Sequence, residues 1–84
     1  MLFTAKCYWP GVTDAQLRTA LAGERGDQVT VFRGALALPT DDLVLCLFDA
    51  ESRAAVKDAC ERVGWPCERV IESVWIAGPE GEDR

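Results

Sequence analysis

The chain has 84 residues, 49% of them hydrophobic and 27% charged, with a formal net charge of −5. That length fits one small domain, and the apolar share excludes a disordered tail. The acidic balance argues against nucleic acid and anionic membrane surfaces, which both demand a positive footprint, and no apolar run approaches the roughly 20 residues that span a bilayer.

Leu2 to Trp9, rich in apolar and aromatic residues, predicts a first strand, stopped by Pro10-Gly11. Thr13-Asp14-Ala15-Gln16 is a capping box, and Leu17, Ala20 and Leu21 follow at helical spacing, so a helix is expected from Asp14 to about Glu24. Gln28 to Leu38 predicts a second strand, and Pro39-Thr40-Asp41-Asp42 is the turn cluster that follows it. Leu43 to Phe48 is wholly apolar, as a central strand covered on both faces would be. Asp49 is expected to cap the next helix, with Glu51 in its first turn and Ala55, Val56, Ala59, Cys60 and Val63 as its buried stripe. Gly64 ends that helix and Pro66 forbids its continuation. Val70 to Ile76 predicts the last strand, and residues 79–84 a flexible acidic tail beyond a single domain over residues 1–78.

The order βαββαβ predicts an α+β, ferredoxin-like sandwich: a four-stranded antiparallel sheet, spatial order 4-1-3-2, with both helices on one face. In the first strand Phe3, Ala5, Cys7 and Trp9 alternate with Leu2, Thr4, Lys6 and Tyr8, and the second set is assigned to the open face. Because the third strand is apolar on both sides, a second copy of the chain, with or without a small molecule between the copies, is expected to cover that face. A register with Lys6 opposite Glu72, Phe3 opposite Trp75 and Cys7 opposite Ile71 would make a cross-strand ion pair. It nominates Lys6, Tyr8, Arg33 and Glu72 as ligand-binding groups on a mostly apolar face. The competing reading is a simple surface ion pair.

The first residues carry no basic segment leading into an apolar block, so the cytoplasm is the expected compartment and the four cysteines are expected as thiols. The predicted topology gathers Cys7, Cys60 and Cys67 at one edge and leaves Cys46 toward the opposite end of its strand. Three thiolates could take Zn(II) or Cu(I). Against this stand the absence of a C-x-x-C pair, the wide Cys60–Cys67 spacing, and the tendency of cysteine to serve as apolar filler. A Cys7–Cys67 disulfide and a nucleophilic Cys67 near Arg69 are further readings of the same residues. Histidine is absent, which removes the commonest metal ligand and the commonest general base at neutral pH. Trp9 and Trp65 fall at one edge, where they either wall a pocket or cap the end of the core. The carboxylate pairs Asp41-Asp42 and Asp49 with Glu51 are explained by a turn and a helix start.

Pro10-Gly11, Thr40-Asp41-Asp42, Cys46, and the run from Ala55-Val56 to Gly64-Trp65-Pro66 with Arg69-Val70 resemble a family of short, uncharacterised bacterial ferredoxin-like proteins that includes a nickel-binding dimer. The resemblance spans most of the chain and implies the fold and a dimer. The family's histidines fall at Leu36 and Ala59 here, so an imidazole nickel site does not carry over.

Together these readings predict a small homodimeric binding or accessory protein that uses the open sheet face for a small molecule and, by default, no cofactor. The alternatives are a transition-metal protein using Cys7, Cys60 and Cys67, and a small cofactor-free isomerase or oxygenase-like enzyme. The enzyme reading rests on fold analogy alone.

Overall fold

Local chemistry places the element boundaries. The computed structural model describes residues 1–21 and 30–77. Its elements are β1 (Leu2–Tyr8), α1 (Asp14–Leu21), β2 (Thr30–Leu38), a 3-10 turn (Pro39–Asp41), β3 (Leu43–Ala50), α2 (Arg53–Val63) and β4 (Cys67–Ser73). The α1 capping box forms in both directions: Thr13 N–H donates to Gln16 Oε1, and Gln16 N–H donates to Thr13 Oγ1, each at 3.0 Å. Gly64 closes α2 in the left-handed region at φ +78°, where its N–H and that of Trp65 satisfy the carbonyls of Glu61 and Cys60. This paired closure is a Schellman motif, and it accounts for a glycine at this position.

The strands form one antiparallel sheet in the order β2-β3-β1-β4, the ferredoxin-like arrangement expected from the element order. Phe3, Ala5 and Cys7 of β1, Val44, Cys46 and Phe48 of β3, and Val70 of β4 line the inner face. Leu17 of α1 and Val56 and Cys60 of α2 join them in one core, so both helices cover the same side. Trp65 is buried as well, with its ring centroid 5.6 Å from that of Phe32 and 6.1 Å from that of Phe48. In β2 a bulge inserts Arg33 between Phe32, opposite Phe48, and Gly34, opposite Leu47. Gly34 takes φ +139° there, a backbone conformation open to glycine alone.

Three sequence expectations are corrected. Asp49 does not cap α2; β3 runs on through Ala50, and Ser52 Oγ accepts from Ala55 N–H at 3.1 Å. A serine at this step suits the cap because Asp49 and Ala50 remain paired with β1 and β2. The last strand begins at Cys67, three residues earlier than expected, and Val74 to Ile76 lie beyond it. Its register follows: Phe3 pairs with Glu72, Ala5 with Val70, Lys6 with Arg69 and Cys7 with Cys67. The cause is the short connection from α2. Tyr8 N–H already donates to Pro66 O at 3.2 Å, so pairing starts directly after the proline. The shift from the expected register is an odd number of residues, which exchanges the two faces of the strand. Val70 thereby gains burial, a term of about 1.5–3 kcal/mol that outweighs an exposed ion pair of about 0–1 kcal/mol. The expected extensions of the first helix to Glu24 and of the second strand back to Gln28, and the tail over residues 79–84, lie outside the described residues.

Candidate functional site

The open face of the sheet follows from the pleat. Leu2, Thr4, Lys6 and Tyr8 point outward from β1, as the alternation predicts, beside Leu43, Leu45 and Leu47 of β3. After the Arg33 bulge Leu36 and Leu38 of β2 share that face, and β4 adds Arg69, Ile71 and Ser73. Several of its large side chains are exposed: Leu36 by 59%, Tyr8 by 49%, Val31 by 44% and Ile71 by 39%. No helix among the described residues covers them.

The nominated polar groups do not converge in one chain. Lys6 and Tyr8 share the open face of β1, where Lys6 Nζ lies 3.7 Å from a carboxylate oxygen of Glu68. Arg33 sits at the bulge of β2, beside the other end of β3, and its Nη1 donates to Asp49 Oδ2 at 2.9 Å. Glu72 pairs with the inward-facing Phe3, so the expected Lys6–Glu72 pair does not form. Sequence reasoning missed Glu68 and Asp49 as the partners of these cations, and Thr4 and Ser73, whose hydroxyls meet at 2.6 Å across β1 and β4. The signal that locates them is strand register, which one sequence does not display.

The thiols make the second constellation. Cys7 pairs across the strands with Cys67, and its thiol also meets that of Cys46; Cys67 in turn meets Cys60. Cys46 therefore belongs to the set, contrary to the expectation that it lies apart. The β1–β3 register pairs Cys7 with Val44, so Cys46 stands one pleat away on the same face. All four are free thiols; Cys7, Cys46 and Cys60 are buried and Cys67 is half-exposed. The hydrogen bond to Cys46 and burial both raise the Cys7 thiol pKa. Burial and the neighbouring Cys7 raise that of Cys67, while a hydrogen bond from Cys60 works in the opposite direction. The four run as a chain of contacts, and among the described residues no group of three or more His, Cys, Asp or Glu is placed to hold a metal ion.

Among the described residues, two of the clefts lie beside the core. One, of about 280 Å³, lies between α2 and the outer edge of β4 and is lined by Arg53, Lys57, Cys67, Glu68, Arg69 and neighbouring β4 residues. The other, of about 230 Å³, is bounded by Trp9, Val12, Leu17, Pro39 and Leu43. Trp65 lines neither of these clefts and turns into the core against Phe32 and Phe48.

No family model and no curated protein matches the chain. Its fold is similar to the crystal structure of SCO4226 from Streptomyces coelicolor A3(2), with a TM-score of 0.75 and 28% sequence identity over 92% of this chain and 100% of that one. No helix among the described residues is long and apolar enough to cross a membrane.

Proposed function

We propose that the protein is a small homodimeric binding protein in which two copies pack their open sheet faces together and a small molecule is held between the layers. The observation that carries this reading is the apolar patch of Leu36, Val31 and Ile71, continued by the half-buried Leu45 and Leu47. A chain of this size buries a modest share of its apolar surface alone, and a second copy supplies the missing cover. Lys6 and Tyr8 toward one end of the face, and Arg33 at the other, supply polar groups around the leucines. They would orient a ligand whose apolar body lies on the leucines.

Sedimentation equilibrium tests it. The wild-type chain is expected at twice its 9.2 kDa mass, and Leu45→Asp at the single mass with unchanged circular dichroism, since Leu45 points away from the core. A wild-type chain that remains single at concentrations well above micromolar removes the proposal. The ligand is tested separately by a thermal-shift screen of small organic acids, because binding to the native state raises the melting temperature. A hit unaffected by Lys6→Ala and Tyr8→Ala places the ligand elsewhere.

A further inference from the structure

The geometry points to Cys67 as a thiol-exchange site: the cationic cleft beside it receives an anionic low-molecular-weight disulfide, and Cys7 then closes a cross-strand disulfide with Cys67. This inference rests on neither the dimer nor the sheet-face ligand.

Three observations support it. The first is the backbone. Cys7 and Cys67 are direct partners across antiparallel strands, flanked on one side by the bond from Tyr8 N–H to Pro66 O, as in a pair without mutual hydrogen bonds, and on the other by a bulge at Glu68. Regular pairs of this kind have Cα atoms about 4.5 Å apart, at the short end of the range of about 4.4–6.8 Å that a disulfide spans. Both side chains lie on the inner side of the sheet, packed in or against the core, and each thiol influences the titration of the other.

The second is access. Cys67 is the half-exposed member of the thiol chain, it lines the cleft, and its thiol donates to Arg69 O at 3.6 Å. Cys7 and Cys60 lie buried behind it. An incoming disulfide therefore meets Cys67 first.

The third is charge. Arg53 and Lys57, one turn apart on α2, and Arg69 of β4 line the cleft. Among the described residues none of the three has an ion-pair partner, whereas Glu68, the acid of the cleft, is engaged by Lys6. A chain of net charge −5 that lines this cleft with three cations lacking an ion-pair partner among the described residues offers carboxylates a local attraction against its own overall field.

The chemistry balances as two exchanges. The Cys67 thiolate attacks one sulfur of the external disulfide. A mixed disulfide forms, the external S–S bond breaks, and the departing half takes up the proton that Cys67 lost. Cys7 then gives up its proton and attacks Cys67 Sγ, which releases the second half as a thiol. Two protein thiols are oxidised by two electrons, and one external disulfide is reduced to two thiols. The second exchange is the slower, because Cys7 is buried and its thiol donates to Ala5 O at 3.9 Å.

Oxidised glutathione, which is anionic, and hydroxyethyl disulfide, which is neutral, are the probes. The full-length reduced chain is incubated with each and followed by intact mass and peptide mapping. With oxidised glutathione a single glutathionyl adduct on Cys67 is expected first, followed by a species lacking the adduct and two hydrogens, with Cys7 joined to Cys67. The Arg53→Gln/Lys57→Gln variant, altered at exposed helix positions, is expected to react about tenfold more slowly with oxidised glutathione and to change less than about twofold with hydroxyethyl disulfide. First reaction at another cysteine, or a crosslink that excludes Cys67, overturns the site. Equal slowing with both probes, or with neither, overturns the role of the cations. Cys67→Ser, checked for folding by its melting transition, must lose both products; persistence of either overturns the assignment.

Discussion

Cys67 shows how neighbours set the behaviour of one side chain. Its pKa stands above the ordinary thiol value of 9.0 because burial and the Cys7 sulfur disfavour the thiolate, with the Cys60 hydrogen bond opposing them. Cys67 is faced by Cys7, Cys60, Arg53, Lys57, Glu68 and Arg69. Alkylation by iodoacetamide is therefore expected to be slower in the folded chain than in the unfolded chain at pH 8, to rise with pH, and to mark Cys67 ahead of the three buried cysteines. Faster labelling of the folded chain would contradict this environment. The same shifts link to stability. Cys7 and Cys67 both have raised folded-state pKa values, so the folded state holds their protons more tightly. Their contribution is fully present below the unfolded thiol value and declines as pH rises above it. A melting temperature that falls above about pH 9, less steeply in Cys67→Ser, is the expected outcome. Lys6 is a contrasting residue. Its contact with Glu68 is long and exposed, so Lys6→Ala is expected to change stability by less than about 1 kcal/mol in urea unfolding.

The second helix and the edge strand it feeds show how ends govern an element. Ser52→Ala removes the acceptor of Ala55 N–H and is expected to cost about 1 kcal/mol. Gly64→Ala has open space for its Cβ but forces a left-handed backbone, at about 1–2 kcal/mol. Both are measured by chemical unfolding, and a Gly64→Ala variant as stable as wild type would refute the cap. The stop at Gly64 and Pro66 was readable because both act through local backbone chemistry. The cap at Ser52 was missed because Asp49 is an equally good cap by composition; cross-strand pairing holds Asp49 in β3, where it meets Arg33.

In the molecule as a whole, one core must hold two helices on one side of the sheet, and its centre includes Trp65. Replacing Trp65 by alanine is expected to cost about 3–5 kcal/mol. Against a total of about 5–15 kcal/mol for a native domain, that leaves a marginal fold. A cooperative melt close to that of wild type would show that the ring is not structural. If the open faces pair, folding and association are linked, and the melting temperature of the wild-type chain is expected to climb with protein concentration while that of Leu45→Asp stays constant.

The element order, the capping box, the glycine stop of α2 and the in-out alternation of β1 were all legible in the chain. Each depends on residues within a few positions of one another, where sterics and hydrogen-bond geometry act locally. The pairing of β4 with β1, the bulge at Arg33, the meeting of Cys46 with Cys7 and the partners of Lys6 and Arg33 were settled only when the strands came together. The span from Gly64 to the sheet is short, and burial of Val70 favours one register. A shift by an odd number of residues exchanges every side chain of a strand between water and core, so long-range contacts determine which polar groups can share a site.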